Sequence, residues 1–159
     1  MSLDLMPRTQ TKFFGAVDYD TDSVFHFPSG LPGFEDHRDF VFLHVPHSEP
    51  LMFLQSLSSR NLCFVLLPIL VADPHYRLNL TPEELFELEL PAGREPLIGE
   101  DILCATLICV AQGEVPTANL MAPVVVNLQK HIGMQVIHGD SGYTHQHPLL
   151  FEEPVLSCS

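Results

Sequence analysis

The sequence predicts an all-β fold, mainly antiparallel: a small closed or partly open β-barrel of about eight or nine strands with one short helix. Three observations predict it. The apolar runs are short and rich in Phe, Val, Leu and Ile, side chains that suit a pleated, half-buried surface. Fourteen prolines and nine glycines cut the chain into short pieces. Only one stretch carries a full helix start. With 159 residues and 46% hydrophobic side chains, the chain has the length of one domain and enough apolar material for one sizeable core. Residues 1–10 read as a loose leader, 11–149 as the single domain and 150–159 as a loose tail.

Taken in order, residues 12–19 (KFFGAVDY) and 23–27 (SVFHF) predict a hairpin across Asp20-Thr21-Asp22. A Pro- and Gly-rich loop follows at 28–33. Residues 39–45, 51–57 and 63–70 predict three more strands. In 75–80 (HYRLNL), Tyr76, Leu78 and Leu80 alternate with His75, Arg77 and Asn79, the pattern of a half-buried strand. Thr81-Pro82-Glu83-Glu84 is the helix start: Thr81 caps, Pro82 is preset for the first turn, and Glu84 completes a capping box. Leu85 and Leu88 then face the core over about two turns, ending before Pro91. Residues 102–111 are apolar on both faces, as a central strand requires. Residues 122–128 and 134–138 close the set.

Charge narrows the function. Seven Lys and Arg against 20 Asp and Glu give −13 with histidines neutral. Such a surface repels phosphate backbones and attracts basic proteins, so direct nucleic-acid binding is not expected. The same charge also keeps a protein soluble. The cysteines at 63, 104, 109 and 158 show no paired metal-knuckle spacing, and three lie in or beside apolar runs. The N-terminal dozen lacks a secretory pattern, and no apolar run approaches the roughly 20 residues of a membrane span. A soluble cytoplasmic protein with reduced thiols and no membrane contact is expected, a monomer by default.

Gly139-Asp140-Ser141-Gly142 spells the tetrapeptide of trypsin-like nucleophiles. Only 18 residues follow Ser141, too few for the strands and helix that complete such a fold. No upstream histidine sits in a matching setting, so the stretch reads as a turn. Of nine histidines, His145 and His147 have a spacing that shares a strand face, but Pro148 favours an extended turn over a rigid metal platform. No Gly-rich phosphate loop opens a helix. No catalytic residue, metal or cofactor is therefore expected. The alternative left standing is a small-molecule- or metal-binding β-barrel, a hydrolase if Ser141 or the His145/His147 pair is reactive.

Several longer words remain. They are residues 27–35 (FPSGLPGFE), 53–57 (FLQSL) trailed by Phe64-Val65, and 117–127 (TANLMAPVVVN) followed by 133–137 (GMQVI). Tyr143 and His147-Pro148-Leu149 close the series. In this order and spacing the chain, from about residue 12 to residue 149, resembles the flagellar assembly factor family, FliW. Gln146 stands where such proteins tend to carry a basic residue. The resemblance implies action by binding alone, not catalysis. Family members bind flagellin in the cytoplasm and also bind CsrA, a small basic RNA-binding translational repressor. Flagellin awaiting secretion occupies the factor; its export frees the factor to capture CsrA from a site beside the RNA groove.

The candidate contact residues fall in three places. Leu31 and Phe34 in the loop are apolar anchors, or else plugs of the barrel's end, with Glu35, Asp36 and Asp39 as an acidic rim. On the helix, Glu83, Glu84 and Glu87 form an acidic face that a basic partner would relieve. Asn119 either bonds a partner's backbone or closes its own turn.

Overall fold

The computed structural model describes residues 8–12, 14–43, 45–110 and 113–149. The expected leader up to residue 7 and the tail from residue 150 lie outside the described residues. Strands run at β1 (Arg8–Thr11), β2 (Gly15–Asp18), β3 (Val24–His26), β4 (Asp39–Leu43), β5 (Met52–Ser56), β6 (Cys63–Pro68), β7 (Ile102–Cys109), β8 (Thr117–Ala118), β9 (Val124–Asn127), β10 (Ile132–Gln135) and β11 (His147–Pro148). Two short helices, α1 (Ile69–Ala72) and α2 (Pro82–Glu87), lie between β6 and β7.

The expected barrel is present. Its ring runs β7-β6-β5-β4-β3-β10-β9 and returns to β7, with β8 and β11 continuing beyond β7. Among the described residues all ladders are antiparallel except β3 with β10, a single parallel pair at His26 and Ile132. The closing edge of β7 is shared. Ile102–Ala105 pair with β9, while Ile108 and Cys109 pair with β8. The chain from Thr117 to Asn127 thus follows one edge of β7 twice, arching away at 120–123 between the two contacts.

Alternation along β7 divides the apolar interior. Phe25, Phe27, Phe40, Leu54, Leu66, Ala105, Val124 and Val126 pack together as the barrel's filling. Residues of opposite parity on the same wall, including Leu67, Ile102, Cys104 and Val125, join Tyr76, Leu88, Leu120, Val136 and Leu149 in a second cluster. That cluster is the underside of an outer layer made of α1, α2, the 73–81 segment and the C-terminal turns. A β7 apolar on both faces is thereby accounted for. Fully burying a side chain such as Phe27 or Phe40 contributes about 2–3 kcal/mol. At Gly133 an added Cβ would lie 2.6 Å from the Phe27 ring, so β10 passes the filling where no side chain fits.

Four expectations are corrected. Residues 12–19 are not one strand and do not pair with 23–27. Thr11 Oγ1 accepts the Phe14 N–H at 2.8 Å and folds the chain back, so β2 pairs with β1. Consequently residues 8–10 of the expected leader are strand, while β3 pairs with β4. Residues 75–80 alternate in burial as predicted but join no ladder among the described residues. The strand expected over 63–70 stops at Pro68, where α1 begins, and the strand expected over 134–138 begins earlier and stops at Gln135.

Candidate functional site

α2 is held at both ends. Thr81 Oγ1 accepts the Glu84 N–H at 3.1 Å, and Glu84 Oε1 accepts the Thr81 N–H at 2.8 Å, the capping box that the sequence predicts. At the other end Leu90 N–H donates to the Leu85 carbonyl and Glu89 N–H to the Phe86 carbonyl, with Glu89 at φ +57°. Asn127, the last residue of β9, donates Nδ2–H to the carbonyls of Leu88 (2.7 Å) and Glu89 (3.3 Å). Its Oδ1 accepts from Gln129 and Lys130. With Leu88 buried and Leu85 packed on the same cluster, the outward face shows Glu83, Phe86 and Glu87.

This placement sorts the three glutamates. Glu83 and Glu87 are exposed, whereas the Glu84 side chain is 14% exposed and faces His138. Glu84 therefore serves the helix start and is not on the acidic face. Phe86, at 83% exposure, belongs to that face although sequence reasoning passed it over. The signal was available: on a helix whose Leu85 and Leu88 point inward, residue 86 points out.

The Pro28–Glu35 loop behaves differently. Leu31 is 1% exposed and belongs to the barrel's filling, so it is a plug and not a surface anchor. Gly30 (φ +65°) lies so close that a Cβ there would fall 2.6 Å from the Glu35 backbone. Phe34 is partly exposed, resting edge-on against Phe64 at 5.2 Å. Glu35 Oε2 accepts the Gly33 N–H at 3.0 Å, a bond that holds its carboxyl below the usual carboxylate range. Asp36 is exposed, and Asp39 faces His26 across the β3–β4 pair at 2.7 Å. Phe34, Glu35, Asp36 and Asp39 thus remain at the surface.

Asn119 closes its own turn. Its Oδ1 accepts the N–H groups of Met121 (3.2 Å) and Ala122 (3.1 Å), which folds the arch between β8 and β9. Its backbone carbonyl accepts from buried Thr106.

Ser141 lines the main cleft, about 550 Å³, with Tyr76, Arg77, His138 and Tyr143. The Ser141 Oγ accepts the Tyr143 N–H at 3.2 Å, and the Ser141 N–H donates to the His138 carbonyl. His138 Nε2 is turned to Glu84. No hydrogen bond joins the serine hydroxyl to a histidine among the described residues, and none of these groups three candidate metal ligands. No described helix is long and apolar enough to cross a membrane.

The sequence model of the family described as FliW protein matches residues 8–149. The chain belongs to the FliW family. This family member is 36% identical over 149 residues to the flagellar assembly factor FliW of Desulfitobacterium hafniense (strain Y51), covering 91% of this chain and 92% of that protein. To the flagellar assembly factor FliW of Bacillus subtilis (strain 168) it is 31% identical over 142 residues, covering 87% and 94%. A crystal structure of the flagellar assembly factor FliW superposes with a TM-score of 0.79 at 29% identity, covering 92% of this chain and 99% of that one. The FliW match begins at the first residue of β1 and ends one residue past β11.

Proposed function

We propose that this chain is a cytoplasmic, monomeric flagellar assembly factor that binds flagellin and antagonises CsrA, coupling flagellin translation to secretion without catalysis of its own. Membership of the FliW family supports the flagellar role. The observation that carries the binding mode is the face of α2: Phe86 stands between Glu83 and Glu87 on a helix fixed at both ends. An exposed aromatic with a carboxylate collar matches a basic protein that offers an apolar depression. On a chain of charge −13, such a contact brings a strong negative field beside the partner's RNA-binding surface. Most nucleic-acid affinity is electrostatic, so that field weakens RNA binding without touching the RNA contacts. By linkage, bound RNA weakens this chain's hold on the repressor by the same factor.

The test is calorimetric titration of the purified protein with flagellin and, separately, with CsrA from the same organism. Heat with both, and no CsrA heat once flagellin is loaded, is the expected result. Heat with flagellin alone removes the regulatory half of the proposal. Heat with neither leaves only the fold.

A further inference from the structure

Residues 77–80 cross the outer layer as an open backbone edge. Their burial alternates, Arg77 and Asn79 outward and Leu78 and Leu80 inward, yet no strand among the described residues pairs with them. Arg77 N–H donates to Tyr143 Oη at 3.0 Å, and Thr81 N–H goes to Glu84. Between these, the N–H groups of Leu78, Asn79 and Leu80 and the carbonyls of 77–80 have no partner among the described residues. An exposed edge of this kind is a template for pairing with another chain unless it is charged, bent or covered.

This edge is flanked by room. The 550 Å³ cleft lies along one side. Another of about 360 Å³ runs along Leu70, Leu78, Leu97 and Ile98. Leu70 and Leu97, far apart in sequence, are 41% and 50% exposed, which gives that groove apolar walls open to solvent. Arg77 lines both clefts, and its guanidinium has no hydrogen bond or ion pair among the described residues. With only 7 Lys and Arg against 20 Asp and Glu, an arginine left uncompensated is a recognition element for a carboxylate. Asp140 in the first cleft and Glu95 in the second argue against an acidic run in the occupant, and Arg77 in both argues against a basic one.

We propose that residues 77–80 are a receptor strand: an extended segment of a partner adds to them edge to edge, its apolar side chains against Leu70, Leu78 and Leu97 and one carboxylate on Arg77. The inference rests on the reading of this chain as a flagellin-binding factor, with flagellin supplying the segment. Backbone pairing provides the affinity, and the apolar groove and Arg77 provide the choice of segment.

Amide hydrogen exchange with and without saturating flagellin tests it, alongside Arg77→Glu. Successive N–H groups of an extended segment point to opposite edges, and the Arg77 N–H is turned to Tyr143, so Leu78 and Leu80 offer theirs to the added strand. The expected result is at least ten-fold slower exchange at Leu78 and Leu80 in the complex. Arg77→Glu should bind flagellin at least ten-fold more weakly at an unchanged melting temperature. If Arg77→Glu does not fold, exchange in the unaltered chain decides. Flagellin binding that leaves these two amides unprotected overturns the receptor strand and spares the functional reading. Protection that needs no flagellin and grows with protein concentration assigns the edge to a second copy, which also overturns it. No flagellin binding by the unaltered chain overturns both.

Discussion

His138 Nε2 lies 3.0 Å from both carboxylate oxygens of Glu84, tying the chain just past β10 to the first turn of α2. The same carboxylate accepts the Thr81 N–H. One side chain thus closes the helix start and docks it onto the barrel. Glu84→Ala should lower unfolding free energy by about 1–3 kcal/mol, combining a lost cap with a lost partly buried polar contact. His138→Ala should cost less, and the double variant should cost less than the sum, since both remove one shared contact. Urea denaturation of the three variants checks this; strict additivity would show that the two side chains do not act together.

Glu83 and Glu87 are free of that duty. Reversing both to Lys while keeping Glu84 should leave the melting temperature nearly unchanged. It should slow CsrA association and flatten its salt dependence, because steering is an electrostatic rate effect. Stopped-flow measurements between low and physiological salt read the change. Phe86→Ala should instead speed dissociation, as loss of a packed anchor does.

Asn127 is the fixed point at the far end of α2. Asn127→Asp keeps the shape but cannot donate to the Leu88 and Glu89 carbonyls, and sets a carboxylate against them. A loss of about 2–3 kcal/mol is expected from a buried acceptor left unpaired. The loss should be measured by denaturation at neutral pH. It should shrink when the new carboxyl is protonated at acid pH, because the neutral acid regains one donor.

The thiols should separate by burial. Desolvation pushes the Cys104 thiol up to about 12 and that of Cys63 up to about 11, so little thiolate forms at pH 8. Cys109 is exposed. Iodoacetamide at pH 8 should modify Cys109 in the folded protein and reach Cys104 only in denaturant, as peptide mass mapping would show. Labelling Cys104 without denaturant would mean that the outer layer opens readily.

What the sequence disclosed followed from local chemistry. Thr81, Pro82 and Glu84 specify a helix start within four residues, and the structure shows each bond of it. Tyr76, Leu78 and Leu80 turn inward as their alternation predicts, because alternation reports burial. Alternation does not report pairing, so the missing ladder at 77–80 was invisible. The first hairpin departs from its prediction for a similar reason: the Thr11 side chain, not the Asp20 turn, reverses the chain. Asn119 could not be assigned beforehand, since an exposed ligand and a turn-closing amide have the same sequence context. For Leu31 the sequence leaves a surface anchor and a plug of the barrel's end both open, because a leucine in a loop suits either; the structure selects the plug.

The ring described above has unequal joints. Neighbouring strands elsewhere share three or four residue pairs, whereas β3 and β10 share one, supplemented by the His26 N–H to His131 carbonyl bond at 2.9 Å. Phe25 lies flat on the His131 ring there, with centroids 4.4 Å apart. This joint is a clasp. Undoing it breaks the fewest bonds and turns a closed cylinder into a curved sheet with two raw margins, Phe27 uncovered between them. A barrel clasped at one narrow point can be strong everywhere else and still have a single, defined place to come apart.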